Sequence, residues 1–172
     1  MKNGGSWHRA FWPLALVWVV ADYATKRWAE STLTPYGPVN VLGEWFRWRL
    51  AYNPGAAFSL SLGPYSRWIF MVIAAVAVVG IAWKARDADW NDRLRQIAAA
   101  LVVGGAAGNL IDRIRGAAGV VDFIDVGIGM TRWPTFNVAD MGVSCGAVAL
   151  AISFWLEDAR KAKEAAVTPS SL

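Results

Sequence analysis

The chain has 172 residues, 56% of them hydrophobic, against about 45–50% in a soluble domain, and it carries 11 Trp, a side chain that favours the membrane–water interface. Its formal charge is +4, but the basic residues fall between apolar runs and form no patch, which argues against nucleic acid as a partner. A single His (His8) and a single Cys (Cys145) exclude an intrachain disulfide and a His/Cys zinc site, so no metal and no cofactor is expected; Cys145, inside an apolar run, reads as a small buried core residue.

The totals fit a single integral membrane domain over residues 1–172, and four segments are candidate spanning helices. The first, about 10–29, follows a basic start and imitates a secretory signal. It is Trp-rich and leads into Asp22 and Lys26, which marks it as a retained membrane helix. An outer loop of about 30–66 comes next. Within it EWFRWRLAY alternates Phe46, Trp48, Leu50 and Tyr52 with Arg47, Arg49 and Ala51, a period-two strand signal. Asn53-Pro54-Gly55 supplies a turn, and AAFSL is a candidate returning strand. The second and third helices, about 68–84 and 95–112, are short for a span and need flanking Trp and Arg as anchors. Gly104, Gly105 and Gly108 give the third a face that lets another helix approach closely. A second outer loop, about 114–135, holds an extended piece at GVVDFIDV. The fourth helix, about 136–157, precedes a cytoplasmic tail of about 158–172. The alternative is two spans with buried soluble helices, against which the Trp at the run ends argue. Lys and Arg divide almost evenly between the two sides, but the terminal-side charges sit densely beside helix ends, which favours cytoplasmic termini. The expected fold is an all-α membrane protein, a four-transmembrane-helix bundle with a small extracytoplasmic β-sheet.

The polar residues gather at the outer end of the spans: Asp22 and Lys26; Asn109, Asp112 and Arg113; Asn137 and Asp140. Asp22 and Lys26, at i and i+4, share a helix face, as do Asn137 and Asp140 at i and i+3. A carboxylate at membrane depth is costly, so a pocket built from these groups implies a use. Each has a plainer account: an ion pair for Asp22–Lys26, an orienting pair for Asp112–Arg113, a helix cap for Asn137. Asp140 has no base one turn away, and composition does not separate Asp122 from Asp125. No Ser–His pair and no phosphate-binding glycine loop is present. What remains is a pair of carboxylates sharing a proton, one activating water and the other polarising a carbonyl, as in aspartic proteases.

The motifs DYATK (22–26), NPGAAFS (53–59), GNLIDR (108–113), VVDFID (120–125) and FNVAD (136–140), in this order and spacing, resemble those of the bacterial lipoprotein signal peptidases, or signal peptidase II. The likeness covers about residues 10–157. Tyr23 departs from the family's frequent Gln, and the stretch RIRGAAGVV is one residue longer than usual. The resemblance implies an aspartic endopeptidase with four membrane helices and an outer β-cradle. Its catalytic pair would be Asp122 and Asp140. Asp22, Lys26, Asn53, Gly55, Asn109, Asp112, Arg113 and Asn137 match positions that shape or stabilise the family's site. The reaction implied is removal of the signal peptide from diacylglyceryl-modified prolipoproteins, just before the lipidated cysteine. The implied setting is the bacterial cytoplasmic (inner) membrane, with both termini cytoplasmic and the site near the outer face. Expected partners are lipidated signal peptides and membrane lipids, for a monomeric enzyme.

Two rivals remain. A small transporter or proton relay would use the boundary aspartates, but they sit at one boundary and no inverted repeat is visible. A Ser/Lys peptidase would pair Ser59 or Ser61 with Lys26, yet Asp22 one turn away makes Lys26 an ion-pair partner rather than a base.

Overall fold

The structure, a computed structural model, describes residues 8–34, 36–55, 63–87, 92–116 and 118–167. Four long helices account for most of it: α1 (His8–Thr32), α2 (Ser66–Asp87), α3 (Arg93–Arg115) and α4 (Val138–Val167). Two strands, β1 (Val39–Leu42) and β2 (Phe46–Asn53), lie between α1 and α2, and two more, β3 (Val120–Ile128) and β4 (Thr131–Arg132), lie between α3 and α4.

Among the described residues, three helices contain segments long and apolar enough to cross a membrane: Ser66–Trp83, Arg93–Arg115 and Val138–Glu164. Helix α1, with 25 residues, has the length but carries Asp22, Lys26, Arg27 and Glu30 in its second half. Helix α3 is central and packs on α1, α2 and α4, whereas α2 touches the bundle mainly through α3. Small side chains permit that centrality: Ala99, Ala100 and Val103 pack against Phe11 and Ala15 of α1. The glycine face expected on α3 lies at these contacts. A methyl on Gly104 would meet the carbonyl of Ala15, and one on Gly105 would strike the carbonyl of Ala139 at the start of α4.

The expected strand in EWFRWRLAY is β2. Its partners are β1, through a hairpin turning at Gly43 (φ 57°), and β3 from the second outer loop. The register pairs Ala51 with Asp122 and Asn53 with Val120. The candidate returning strand AAFSL falls on residues 56–60, outside the described residues. All neighbours in the sheet β1–β2–β3–β4 run antiparallel. The sheet is seated on the end of α1 by an aromatic cluster. Trp28 meets Trp48 edge-on at 5.3 Å between centroids, and Phe123 lies 6.2 Å from Trp28 and 5.9 Å from Trp48. Ala29, Leu33 and Ile124 complete that core.

Two expectations need correction. The fourth helix does not end near 157 but continues to Val167, because EDARKAKEAA is built of helix formers and Glu157 pairs with Lys161 one turn on at 2.6 Å. Cys145 is exposed on α4 rather than buried, since the packed face of that helix is taken by Gly142 and Gly146.

Candidate active site

The site is assembled where four elements meet. Helix α1 brings Asp22 and Lys26, α3 brings Asn109, Asp112 and Arg113, β3 brings Asp122, and the start of α4 brings Asn137 and Asp140.

Lys26 lies at the bottom of this cluster, 1% exposed, on the face where α1 meets α3. An ammonium has three donors, and all three find acceptors: Asp22 Oδ2 at 2.8 Å, Asp112 Oδ2 at 2.9 Å and Asn109 Oδ1 at 2.9 Å. Ion-paired with two carboxylates, Lys26 sits as a structural cation, which argues against the Ser/Lys reading. Ser59 and Ser61 themselves lie outside the described residues. The close approach depends on Gly108, where a methyl group would sit 2.5 Å from Asp22 Oδ2. The other oxygen of Asp22 accepts the backbone N–H of Ala139 at 2.8 Å, which ties α1 to the first turn of α4.

Asn109 passes this anchoring outward. Its oxygen accepts from Lys26, and its amide donates to Asp140 Oδ1 at 2.8 Å. Asn137 is both a helix cap and part of the cluster. Its Oδ1 accepts the Asp140 N–H at 2.9 Å while Asp140 Oδ2 accepts the Asn137 N–H at 3.2 Å, a reciprocal capping box. Its Nδ2 meanwhile donates to Asp122 Oδ1 at 2.7 Å, and lies 3.1 Å from Asn109 Oδ1 and 3.2 Å from the Val121 carbonyl. One asparagine therefore touches both carboxylates, through its side chain to Asp122 and its backbone to Asp140.

Arg113, also buried, donates to the Gly55 carbonyl at 2.7 Å, and the Gly55 N–H donates to Asn53 Oδ1 at 2.9 Å. Asn53 hydrogen-bonds the Asp122 carboxyl in turn. Asp112 holds the start of β3 by accepting the Val121 N–H at 3.3 Å. All ten residues expected at the site thus converge.

Burial, and then the neighbouring charge of Asp140, push the Asp122 carboxyl up to about 7, against the hydrogen bonds of Asn53 and Asn137 and the charge of Lys26. Asp122 is 2% exposed, so water does little to screen it. Four carboxylates in the cluster face two buried cations, Lys26 and Arg113. A proton held on Asp122 lowers that excess of negative charge.

Asp125 has a different setting. An odd separation along β3 sends it to the opposite face from Asp122. Arg47 donates to its Oδ2 at 2.8 and 3.0 Å, and Arg132 to its Oδ1 at 2.6 Å. Burial alone would raise this carboxyl, but the arginine hydrogen bonds and charges outweigh it and hold it below its usual value. Asp125→Asn is expected to lower stability by about 2–3 kcal/mol while kcat stays near that of the unchanged protein. A depressed folded value stabilises above the unfolded value near 4 and the gain is lost on acidification, so the gap in melting temperature should close below about pH 4. A variant that melts normally but fails to turn over would reverse the roles of the two acids.

Residues 14–156 match the family model described as signal peptidase (SPase) II. The chain belongs to the signal peptidase II family. It is 44% identical over 164 residues to the lipoprotein signal peptidase of Hydrogenovibrio crunogenus, covering 92% of each chain. It is 45% identical over 148 residues to that of Pseudomonas fluorescens, covering 83% of this chain and 85% of the other. A solved bacterial membrane enzyme, determined by the in meso method at 2.3 Å, superposes with a TM-score of 0.76 at 27% identity over 86% of this chain and 88% of its own. This signal peptidase II homologue is accordingly a peptidase of a bacterial membrane.

Two cavities flank the carboxylates of this family member. One of about 280 Å³ borders Asp140 and runs down α4 past Met141, Val143 and Cys145. The other, about 260 Å³, borders Asp122 beside Tyr52, Pro54 and Gly55. Sequence reasoning missed two contributors to this geometry. Trp18 Nε1 donates to the Val138 carbonyl at 3.0 Å, and its ring lies where a side chain on Gly142 would be. Arg27 reaches Asp112 Oδ1 at 3.5 Å while pairing with Glu30. Gly142, two residues past an acid at the start of a helix, was the available signal for the first.

Proposed function

We propose that this chain is an aspartic endopeptidase in which Asp122 and Asp140 share one proton, activate water and cut the signal peptide just before a diacylglyceryl-modified cysteine. Membership of the family carries the removal of signal peptides from prolipoproteins. The aspartic mechanism is supported above all by Asn137, which hydrogen-bonds both carboxyl groups. The ionised partner accepts a proton from water as it attacks the scissile carbonyl, and the protonated partner donates to the carbonyl oxygen. Asp22, Lys26, Asn109 and Asp112 hold Asp140 and the start of β3, and Arg113, Gly55 and Asn53 hold Asp122 from the other side. In the membrane, α1 acts as a fourth span beside α2, α3 and α4. Both termini are cytoplasmic, and the carboxylates lie at the outer boundary, where the cleavage point of a lipid-anchored precursor also lies. The working form is a monomer, with lipid around α2 and the outer face of α4.

The test is cleavage of a diacylglyceryl-modified precursor by purified protein in detergent, read by mass. The expected product begins at the lipidated cysteine. With a carboxyl that titrates at about 7, kcat/KM should fall as pH rises above that value, because both acids are then ionised and none is left to donate. It should also fall on the acid side, where the base is protonated. A cut elsewhere, or a rate still rising at pH 9, would reject the mechanism. Proton flux in liposomes free of precursor would support the transporter reading instead.

A further inference from the structure

The segment between β4 and α4 runs beside β3 through one residue. The Phe136 N–H donates to the Ile124 carbonyl at 3.0 Å, and the Phe136 carbonyl accepts from Phe123 and Ile124 at 3.0 and 2.8 Å. Backbone polar groups alternate in direction along an extended chain, so those of Thr135 face away from β3. Thr135 is half-buried, and among the described residues neither its backbone nor its hydroxyl makes a hydrogen bond. A threonine two residues before a helix cap often turns its hydroxyl onto the first turn. Here Asn137 and Asp140 have already satisfied each other, and the Thr135 hydroxyl is left over.

Its position is informative. Thr135 and Asn53 are the two residues that line both cavities, the one bordering Asp140 and the one bordering Asp122. They stand on either side of β3, Asn53 on the paired strand β2 and Thr135 on the opposite flank. A peptide laid across both cavities would run beside both residues and beside the carboxyl groups that border them. Polar groups of Thr135 that line these cavities are placed where the backbone of an entering peptide could pair with them.

We propose that Thr135 is a substrate-binding residue, whose hydroxyl and outward-facing backbone groups hold the main chain of the precursor next to the scissile amide. The precursor lies extended along the segment at Thr135, as a strand added to an open edge. This rests on the peptidase reading above and adds a grip that acts on peptide backbone, and so is indifferent to side-chain identity.

The experiment is steady-state cleavage of the lipidated precursor by the full chain and by T135V and T135S, with thermal melting of each. A hydroxyl that binds the substrate equally in ground and transition states sets KM. T135V should raise KM by roughly 5–10-fold with kcat little changed, and T135S should restore KM. An unchanged KM in T135V overturns the proposal. So does a fall in kcat at constant KM, which would make Thr135 a support for the aspartates, and so does equal damage in T135S, which would make the methyl group the feature that matters. If T135V melts lower than the unchanged chain, T135A gives the same reading without a packed methyl pair. Failure of the unchanged chain to cut before the lipidated cysteine would sink the peptidase reading; normal cutting with an indifferent T135V sinks only the role of Thr135.

Discussion

Asp122→Asn and Asp140→Asn are each expected to slow precursor cleavage by about 10³-fold or more, and the double change is expected to be no worse than either alone. The reason is that the two carboxyls are one proton-sharing unit. Asn in place of Asp122 can still accept the Asn137 amide through its own oxygen, now 2.7 Å away, so the local packing survives while the titrating group is lost. The stability readout should move the other way. Asp122 titrates at about 7 when folded and near 3.9 when unfolded, so the folded chain binds the extra proton between those values. Its contribution to stability therefore declines as pH rises from about 4 to about 7, and ionised Asp122 is a burden above that range. Asp122→Asn removes the burden, so it should melt at or above the temperature of the unchanged chain at pH 8, with the difference vanishing near pH 4. Loss of activity together with loss of fold would show that Asp122 serves structure. Near-normal cleavage in either single variant would end the aspartic assignment.

Much of this arrangement was legible because its signals are local. Asp22 and Lys26 share a face by helix periodicity, and they do form a 2.8 Å pair. Alternation in EWFRWRLAY marked β2, and Asn137 three residues before Asp140 marked a cap. In that last case the cap does not exclude the cluster: the Asn137 side chain caps α4 and also hydrogen-bonds Asp122. What was not legible depends on distance in the chain. The partner of β2 is β3, some 75 residues on, and nothing within either loop specifies the pairing of Ala51 with Asp122. Lys26 reaches Asp112 and Asn109 only because Gly108 lets α1 and α3 close to contact. Asp122 and Asp125 are the same residue type three positions apart and both are buried; what sets their environments apart is long-range, two arginines on Asp125 and two asparagines on Asp122. The end of α4 lies beyond the apolar run that marks a span, because charges spaced four apart, such as Glu157 and Lys161, also extend a helix.

Lys26→Met should be the most damaging change away from the two carboxyls, in stability as well as in rate. Methionine keeps the length and the apolar stem but removes three donors at once. Asp22 and Asp112 would then face each other across a dry helix contact with no cation between them. Stripping one partner from a buried ionic cluster costs about 3–5 kcal/mol, because the remaining charges stay behind unpaired. The effect on rate has a separate route. Asn109 holds its orientation by accepting from Lys26, and that orientation aims its amide at Asp140 Oδ1. With Lys26 gone Asn109 Oδ1 keeps only the longer 3.1 Å contact from Asn137 Nδ2, so its amide is held less firmly on Asp140 and kcat should fall more than KM rises. Lys26→Arg should not rescue it, since a planar guanidinium cannot point at three acceptors arranged around a tetrahedral ammonium. Adding Asp22→Asn to Lys26→Met should recover part of the lost stability by removing one stranded charge, but little of the rate, because Asn109 still lacks its Lys26 donor. Thermal melting and steady-state kinetics on the two single variants and the double variant separate these routes. A Lys26→Met chain that melts and cleaves like the unchanged one would mean that the cluster beneath the carboxyls neither holds the helices together nor positions Asp140.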